Sequence, residues 1–106
     1  MARTLTVGQI VLETDEDGFL QSPTAWTLNV AHALAVSEGV DDLTGEHWKV
    51  VNFIRDYYLK HGMAPMLRML MRSTGHTLAE IYDLFPSGPA RGACKIAGLP
   101  RSVGCV

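Results

Sequence analysis

The stretch Thr44–Gly62, TGEHWKVVNFIRDYYLKHG, decides the fold. Thr44 is the kind of residue that caps a helix by accepting a backbone N–H, and Gly62 the kind that ends one. Between them Trp48, Val51, Ile54 and Tyr58 recur at helical spacing, which predicts a helix over Gly45–His61 with one apolar face. Such a face has to be covered. Working back toward the N-terminus, Ser22-Pro23 reads as a cap followed by a first-turn proline, and Trp26, Val30, Ala33 and Leu34 form a second apolar stripe as far as Ser37, with Gly39 ending it. Toward the C-terminus, Pro65 opens a third helix with Leu67, Leu70 and Met71 inward and an end near Gly75. Thr77-x-x-Glu80 is a capping box for a short helix to Leu84, stopped before Pro86. A last short helix is expected over Pro89–Ala97, with proline first and Gly98 just past its end. Thr4–Val7 and Ile10–Glu13 are short β-rich runs about Gly8-Gln9 and read as a small hairpin. The acidic turn Asp15–Gly18 lacks the later ligands of a calcium loop. The expected fold is mainly α: a compact orthogonal helical bundle with a small N-terminal β-hairpin and a flexible C-terminal arm. Residues 1–97 make a single helical domain and 98–106 a mobile arm.

Composition narrows the function. The 106 residues carry a net charge of −2, enough chain for one core and too little positive charge for strong phosphate attraction. No apolar run reaches the length of a membrane span, and no signal-peptide pattern opens the chain. The two cysteines are too few for a disulfide framework, so a reducing compartment, by default the cytoplasm, is expected. The four histidines, His32, His47, His61 and His76, lack a metal-ligand spacing. His47 at a helix start is expected to pack and cap, and no metal or cofactor is implied. Met63, Met66, Met69 and Met71 read as adaptable core filler whose flexibility would also suit docking.

Both cysteines, Cys94 and Cys105, lie in the closing run PSGPARGACKIAGLPRSVGCV, Pro86–Val106, the second one residue from the end. A cysteine at a chain end has little packing to do. Cys94 is expected on a rigid helical turn, and Gly98, Pro100 and Gly104 leave the following chain free to bend. From Gly98 to Cys105 the arm spans up to roughly 26 Å, ample for the ~5.5 Å Cα separation of a disulfide. Closing that loop would stabilise the chain by somewhat under ~3 kcal/mol, so the bond is reversible. The arm thus brings Cys105 either to Cys94 or to a partner's active site. Arg91, three residues before Cys94, shares its face on a helix and would favour the thiolate. Arg101 and the terminal carboxylate act on Cys105 in opposite directions. The plainer alternative for Cys94 is an inert buried residue.

The run LFPSGPARGACKIAGLPRSVGCV, with DEDGFL, EHWKVVNFIRDYYLKHGMAP and LRMLMRSTG upstream, closely resembles the DsrC/TusE family, the dissimilatory sulfite reductase gamma subunit family, across nearly the whole chain. That resemblance implies that Cys105 carries sulfur and that Cys94 is its partner. Members acting only in tRNA thiolation typically lack a cysteine at the position of Cys94. It further implies a non-enzymatic sulfur carrier, with sulfur held as a persulfide on Cys105 or bridged to Cys94. The partners implied are a sirohaem sulfite reductase, small sulfurtransferases, and a heterodisulfide-reductase-like or membrane redox complex. Arg91, Lys95 and Arg101 would help dock the arm in an acidic or anion-handling cleft. Between Gly75 and Leu84 the chain is shorter than the family pattern, and His76–Asp83 stands where a charged, glycine-containing insertion is usual. That change bears on the surface offered to a sulfite reductase.

Other readings compete. A sulfur relay for tRNA thiolation is the nearest. A helix-turn-helix over His61–Gly75, with Arg68 and Arg72 one turn apart, would suit a DNA-binding regulator, but the negative charge opposes it and the terminal cysteine is left unexplained. An enzyme using Cys94 as nucleophile would need an acid–base partner, and none lies nearby in sequence.

Overall fold

The structure is a computed structural model in which residues 3–100 are described. Strands β1 (Arg3–Val7) and β2 (Ile10–Thr14) pair antiparallel, from Arg3 opposite Thr14 to Val7 opposite Ile10. Leu5, Val7 and Leu12 turn one face of this hairpin onto the core. The acidic turn that follows is closed by its own first carboxylate: Asp15 Oδ1 accepts from the N–H groups of Asp17 and Phe19, each at 2.9 Å. This is a side-chain-stabilised turn. Phe19 and Leu20 then enter the core.

Four further helices frame the C-terminal segment. Helix α1 is Leu28–Ser37, α2 is Gly45–His61, α3 is Leu67–Thr74 and α4 is Leu78–Leu84. The start expected at Ser22-Pro23 yields only a 3-10 turn over Pro23–Ala25, and α1 begins later. The reason is Thr27, whose hydroxyl accepts the Val30 N–H and takes the capping role. Val30, Ala31, Leu34 and Ala35 are buried, so the inward stripe includes Ala31 and Ala35 while Ala33 is only half-buried. Helix α2 runs over the residues expected, between Thr44 and Gly62. Val50, Val51 and Ile54 are fully buried, and Trp48 and Tyr58 pack at the edge.

His47 joins two helices. The Thr44 N–H donates to Nδ1 at 3.1 Å, which leaves the proton on Nε2, and Nε2 donates to the Leu84 carbonyl at 2.8 Å. The imidazole thereby caps α2 and ties it to the end of α4. The stretch from His76 folds as cap and helix α4. His76 Nε2 stands 2.8 Å from Glu46 Oε2, off-line for a directed hydrogen bond, and so acts as an ion pair when the ring is protonated.

Beyond α4 the chain turns at Pro86–Ser87 and enters a wide π-type turn, Pro89–Ala93, continuous with α5, Cys94–Ile96. This last segment packs against both α1 and α2. Ala93, Ile96, Ala97 and Leu99 are fully buried. Gly98 and Leu99, expected to begin the arm, are therefore part of the core, because Leu99 finds an apolar seat there. Residues 101–106, the part of the expected arm beyond Pro100, lie outside the described residues. No helix among the described residues is long and apolar enough to cross a membrane.

Candidate functional site

Cys94 owes its position to three successive features of its own segment. The first is the wide turn: the Cys94 N–H reaches back five residues to the Pro89 carbonyl rather than four. The second is close approach. A Cβ on Gly92 would stand 2.9 Å from Phe85 Cβ, so only glycine lets the turn press on Phe85. The third is the helix stop. The Gly98 N–H donates to the Lys95 carbonyl at 3.0 Å and the Leu99 N–H to the Cys94 carbonyl at 3.2 Å. With Gly98 at φ 81°, this is the paired-bond stop in which a left-handed glycine folds the chain back over the last turn. Cys94 is part of that stop through its own carbonyl. Its side chain is 2 % exposed and is disulfide-bonded.

Two carbonyls of the helix end remain, those of Ile96 and Ala97, and side chains from elsewhere satisfy them. The Trp26 indole Nε1–H donates to the Ile96 carbonyl at 2.8 Å, and Arg55 Nη1 donates to the Ala97 carbonyl at 3.0 Å. The guanidinium lies 4.3 Å from the centre of the Trp26 ring, so the two donors are stacked on each other. Burial lowers the Arg55 pKa, with Tyr58 and Asp56 pulling the other way. An arginine so shifted still carries its charge at neutral pH. Trp26 is thus more than a core anchor, and Arg55 is the residue that sequence reasoning missed. A signal was available: Val51, Ile54, Arg55 and Tyr58 fall at i, i+3, i+4 and i+7, which puts a charge on the apolar stripe.

Of the three basic residues expected to dock the arm, the described structure holds Lys95 and Arg91, and their settings differ. Lys95 is 5 % exposed; its Nζ pairs with Glu38 Oε2 at 2.9 Å and lies 5.0 Å from the centre of the Phe19 ring. Its charge is paired inside the fold, whereas the sequence suggested an outward, docking charge. Arg91 is exposed, whereas Cys94 is buried, so the common face expected from helical spacing is lost where the wide turn interrupts it. Arg91 instead borders an open cavity of about 340 Å³ beside Leu67, Leu78, Tyr82 and Ser87. Arg101 and Cys105 lie outside the described residues. Arg68 and Arg72 are exposed on α3 and line one cavity together with Met66 and Met69. Among the described residues no three His, Cys, Asp or Glu side chains gather to hold a metal ion.

A family model described as DsrC like protein matches residues 6–106. This chain belongs to the DsrC family. The gamma subunit of dissimilatory-type sulfite reductase from Nitratidesulfovibrio vulgaris Hildenborough is 50% identical over 94 residues, covering 89% of this chain and 90% of that protein. Sulfurtransferase TusE of Salmonella typhimurium is 41% identical over 102 residues, covering 90% of this chain and 93% of its own. Among solved structures, the oxidized gamma subunit (DsrC) from Archaeoglobus fulgidus superposes with a TM-score of 0.88 at 45% identity, over 98% of this chain and all of that one. The mainly helical fold with its N-terminal hairpin is therefore that of DsrC proteins, and the resemblance read from the closing run holds.

Proposed function

We infer that this DsrC-family chain is a sulfur carrier whose working groups are Cys105 and Cys94. The observation that carries the reading is Cys94 itself, held in the helix stop that immediately precedes the chain's last residues, within a family whose relatives include a sulfite reductase subunit and a sulfurtransferase. In the proposed cycle the Cys105 thiolate attacks a sulfane sulfur of a donor. The donor's S–S bond breaks, its remainder leaves as a thiolate, and a persulfide forms on Cys105. Cys94 thiolate then attacks Cys105 Sγ, expels hydrosulfide and leaves a Cys94–Cys105 disulfide. A two-electron reductant, a dithiol or a heterodisulfide-reductase-like complex, returns both thiols. The chain acts in this scheme as a protein co-substrate, with the chemistry completed on a sirohaem sulfite reductase or on small sulfurtransferases. Two cysteines favour this cycle over a relay for tRNA thiolation, which needs only one.

The test is sulfur loading. Reduced protein treated with polysulfide should gain mass in steps of whole sulfur atoms, read by intact mass spectrometry. Cys105→Ser should gain none, and Cys94→Ser should load but release no hydrosulfide on standing. Equal loading of wild type and Cys105→Ser would remove Cys105 from the central role.

A further inference from the structure

The end of the Cys94 helix is secured more heavily than a helix of this length requires for its own sake. Helix α5 is one turn long and would fray alone. Yet the carbonyls of Cys94 and Lys95 are held by the backbone stop, and those of Ile96 and Ala97 by Trp26 and Arg55. The two side chains come from different places, one ahead of α1 and one midway along α2. The Arg55 guanidinium carbon lies 4.3 Å from the centre of the Trp26 ring, a cation–π contact that restrains the donor. The indole also forms the wall against which the chain turns. A Cβ on Gly98 would stand 2.4 Å from Trp26 Cδ1, so the turn is pressed on the ring.

The geometry points to a clamp: Trp26 and Arg55 are positioning residues that fix where the chain leaves the fold, and they thereby set how readily Cys105 exchanges with Cys94. This rests on the pairing of those two cysteines. With the clamp closed, the chain is held in the core as far as the buried Leu99, six residues before Cys105 in sequence. Without it the end rests on the backbone stop alone, and where that stop opens the tether lengthens to the ten residues between Lys95 and Cys105. Effective concentration falls roughly as the −3/2 power of tether length, so lengthening alone lowers it about twofold. Loss of a fixed departure direction adds to this, and a total of about two- to fivefold is expected.

The measurement is the equilibrium of the full chain with glutathione. Two protein thiols and one glutathione disulfide give one Cys94–Cys105 bond and two reduced glutathiones, the two protein protons passing to the glutathione thiols. The ratio, read by acid quenching and mass spectrometry, yields the effective concentration. Arg55→Met keeps the stem but removes the donor, and Trp26→Phe keeps a ring but removes the N–H. Both should shift the equilibrium toward the dithiol by about two- to fivefold. Arg55→Lys should fall between Arg55→Met and wild type. Thr77→Ala, which weakens α4 away from the clamp, separates position from stability and should leave the equilibrium unchanged. Wild-type values in both clamp variants, or a shift in Thr77→Ala equal to theirs, would overturn the clamp while leaving the carrier reading intact. A wild type that forms no internal bond would overturn the cysteine pairing and the clamp with it.

Discussion

Lys95 carries a charge into the core one residue from Cys94 and finds a carboxylate there. Its side chain is 6% exposed and that of Glu38 15%, so both are largely removed from water, and each depends on the other. Removing one partner strands the second. Lys95→Met should therefore cost about 2–4 kcal/mol of folding stability, measured by urea unfolding, the lower bound reflecting the partial exposure of Glu38. Combining it with Glu38→Gln should recover about half of that loss, since the stranded charge is then gone. A double variant no more stable than Lys95→Met would show that the lysine's packing on Phe19, rather than its ion pair, matters. The closing run advertises Lys95 as a surface charge because nothing local marks its partner. Glu38 lies 57 residues earlier in the chain, and only the packing of α5 on α1 brings them together. Arg55 was legible in principle, as a charge on an apolar stripe, whereas the Lys95–Glu38 pair had no such sign.

Among the elements, caps were read more reliably than the path between them. Thr44 and Gly62 bound α2 at both ends, and Thr77 with Glu80 starts α4, because capping is chemistry between near neighbours. The cap read at Ser22 gave way to Thr27, five residues on, whose hydroxyl is the one that accepts a first-turn N–H of α1. The wide turn at Pro89–Ala93 could not be read at all, since it follows from Gly92 fitting against Phe85 across the bundle. Helix α4 offers a test of the cap. The Thr77 N–H donates to Glu80 Oε1 at 2.8 Å and the Thr77 hydroxyl accepts the Glu80 N–H at 3.2 Å. Thr77→Ala should cost about 1 kcal/mol by urea unfolding. The hydrogen bond from the Thr77 backbone is the main cause holding the Glu80 pKa below its ordinary value, with His76 adding to it. A carboxylate depressed in the folded state stabilises above its unfolded pKa, and that stabilisation is lost as pH falls through the folded value. The stability difference between wild type and Glu80→Gln should accordingly narrow below the ordinary carboxylate range. A difference independent of pH there would mean that the charge is not what the cap uses.

For the whole molecule, the decisive fact is that Cys94 belongs to the core while its proposed partner follows the last described turn. Cys94 is 2 % exposed and lies between Ala93 and Ile96, both fully buried. Those neighbours belong to the core, and α5 packs against both α1 and α2. Redox change should then leave the bundle as it is and act only on the residues after Leu99. Reduction should leave the far-ultraviolet circular dichroism unchanged, and amide exchange should rise only in the closing residues. Thiol chemistry should report the same asymmetry, because alkylation follows access to the thiolate. In the reduced protein, iodoacetamide should label Cys105 about tenfold or more faster than Cys94, by peptide mapping at short times. Denaturation in urea should bring the two rates together. Equal rates in the folded, reduced protein would mean that Cys94 emerges when the bond opens. The helix stop would then have to open with it, since the Cys94 carbonyl is one of its acceptors. A core that let go of Cys94 on reduction would make α5 itself the moving part, and exchange protection at Ile96 and Ala97 would drop together with the dichroism.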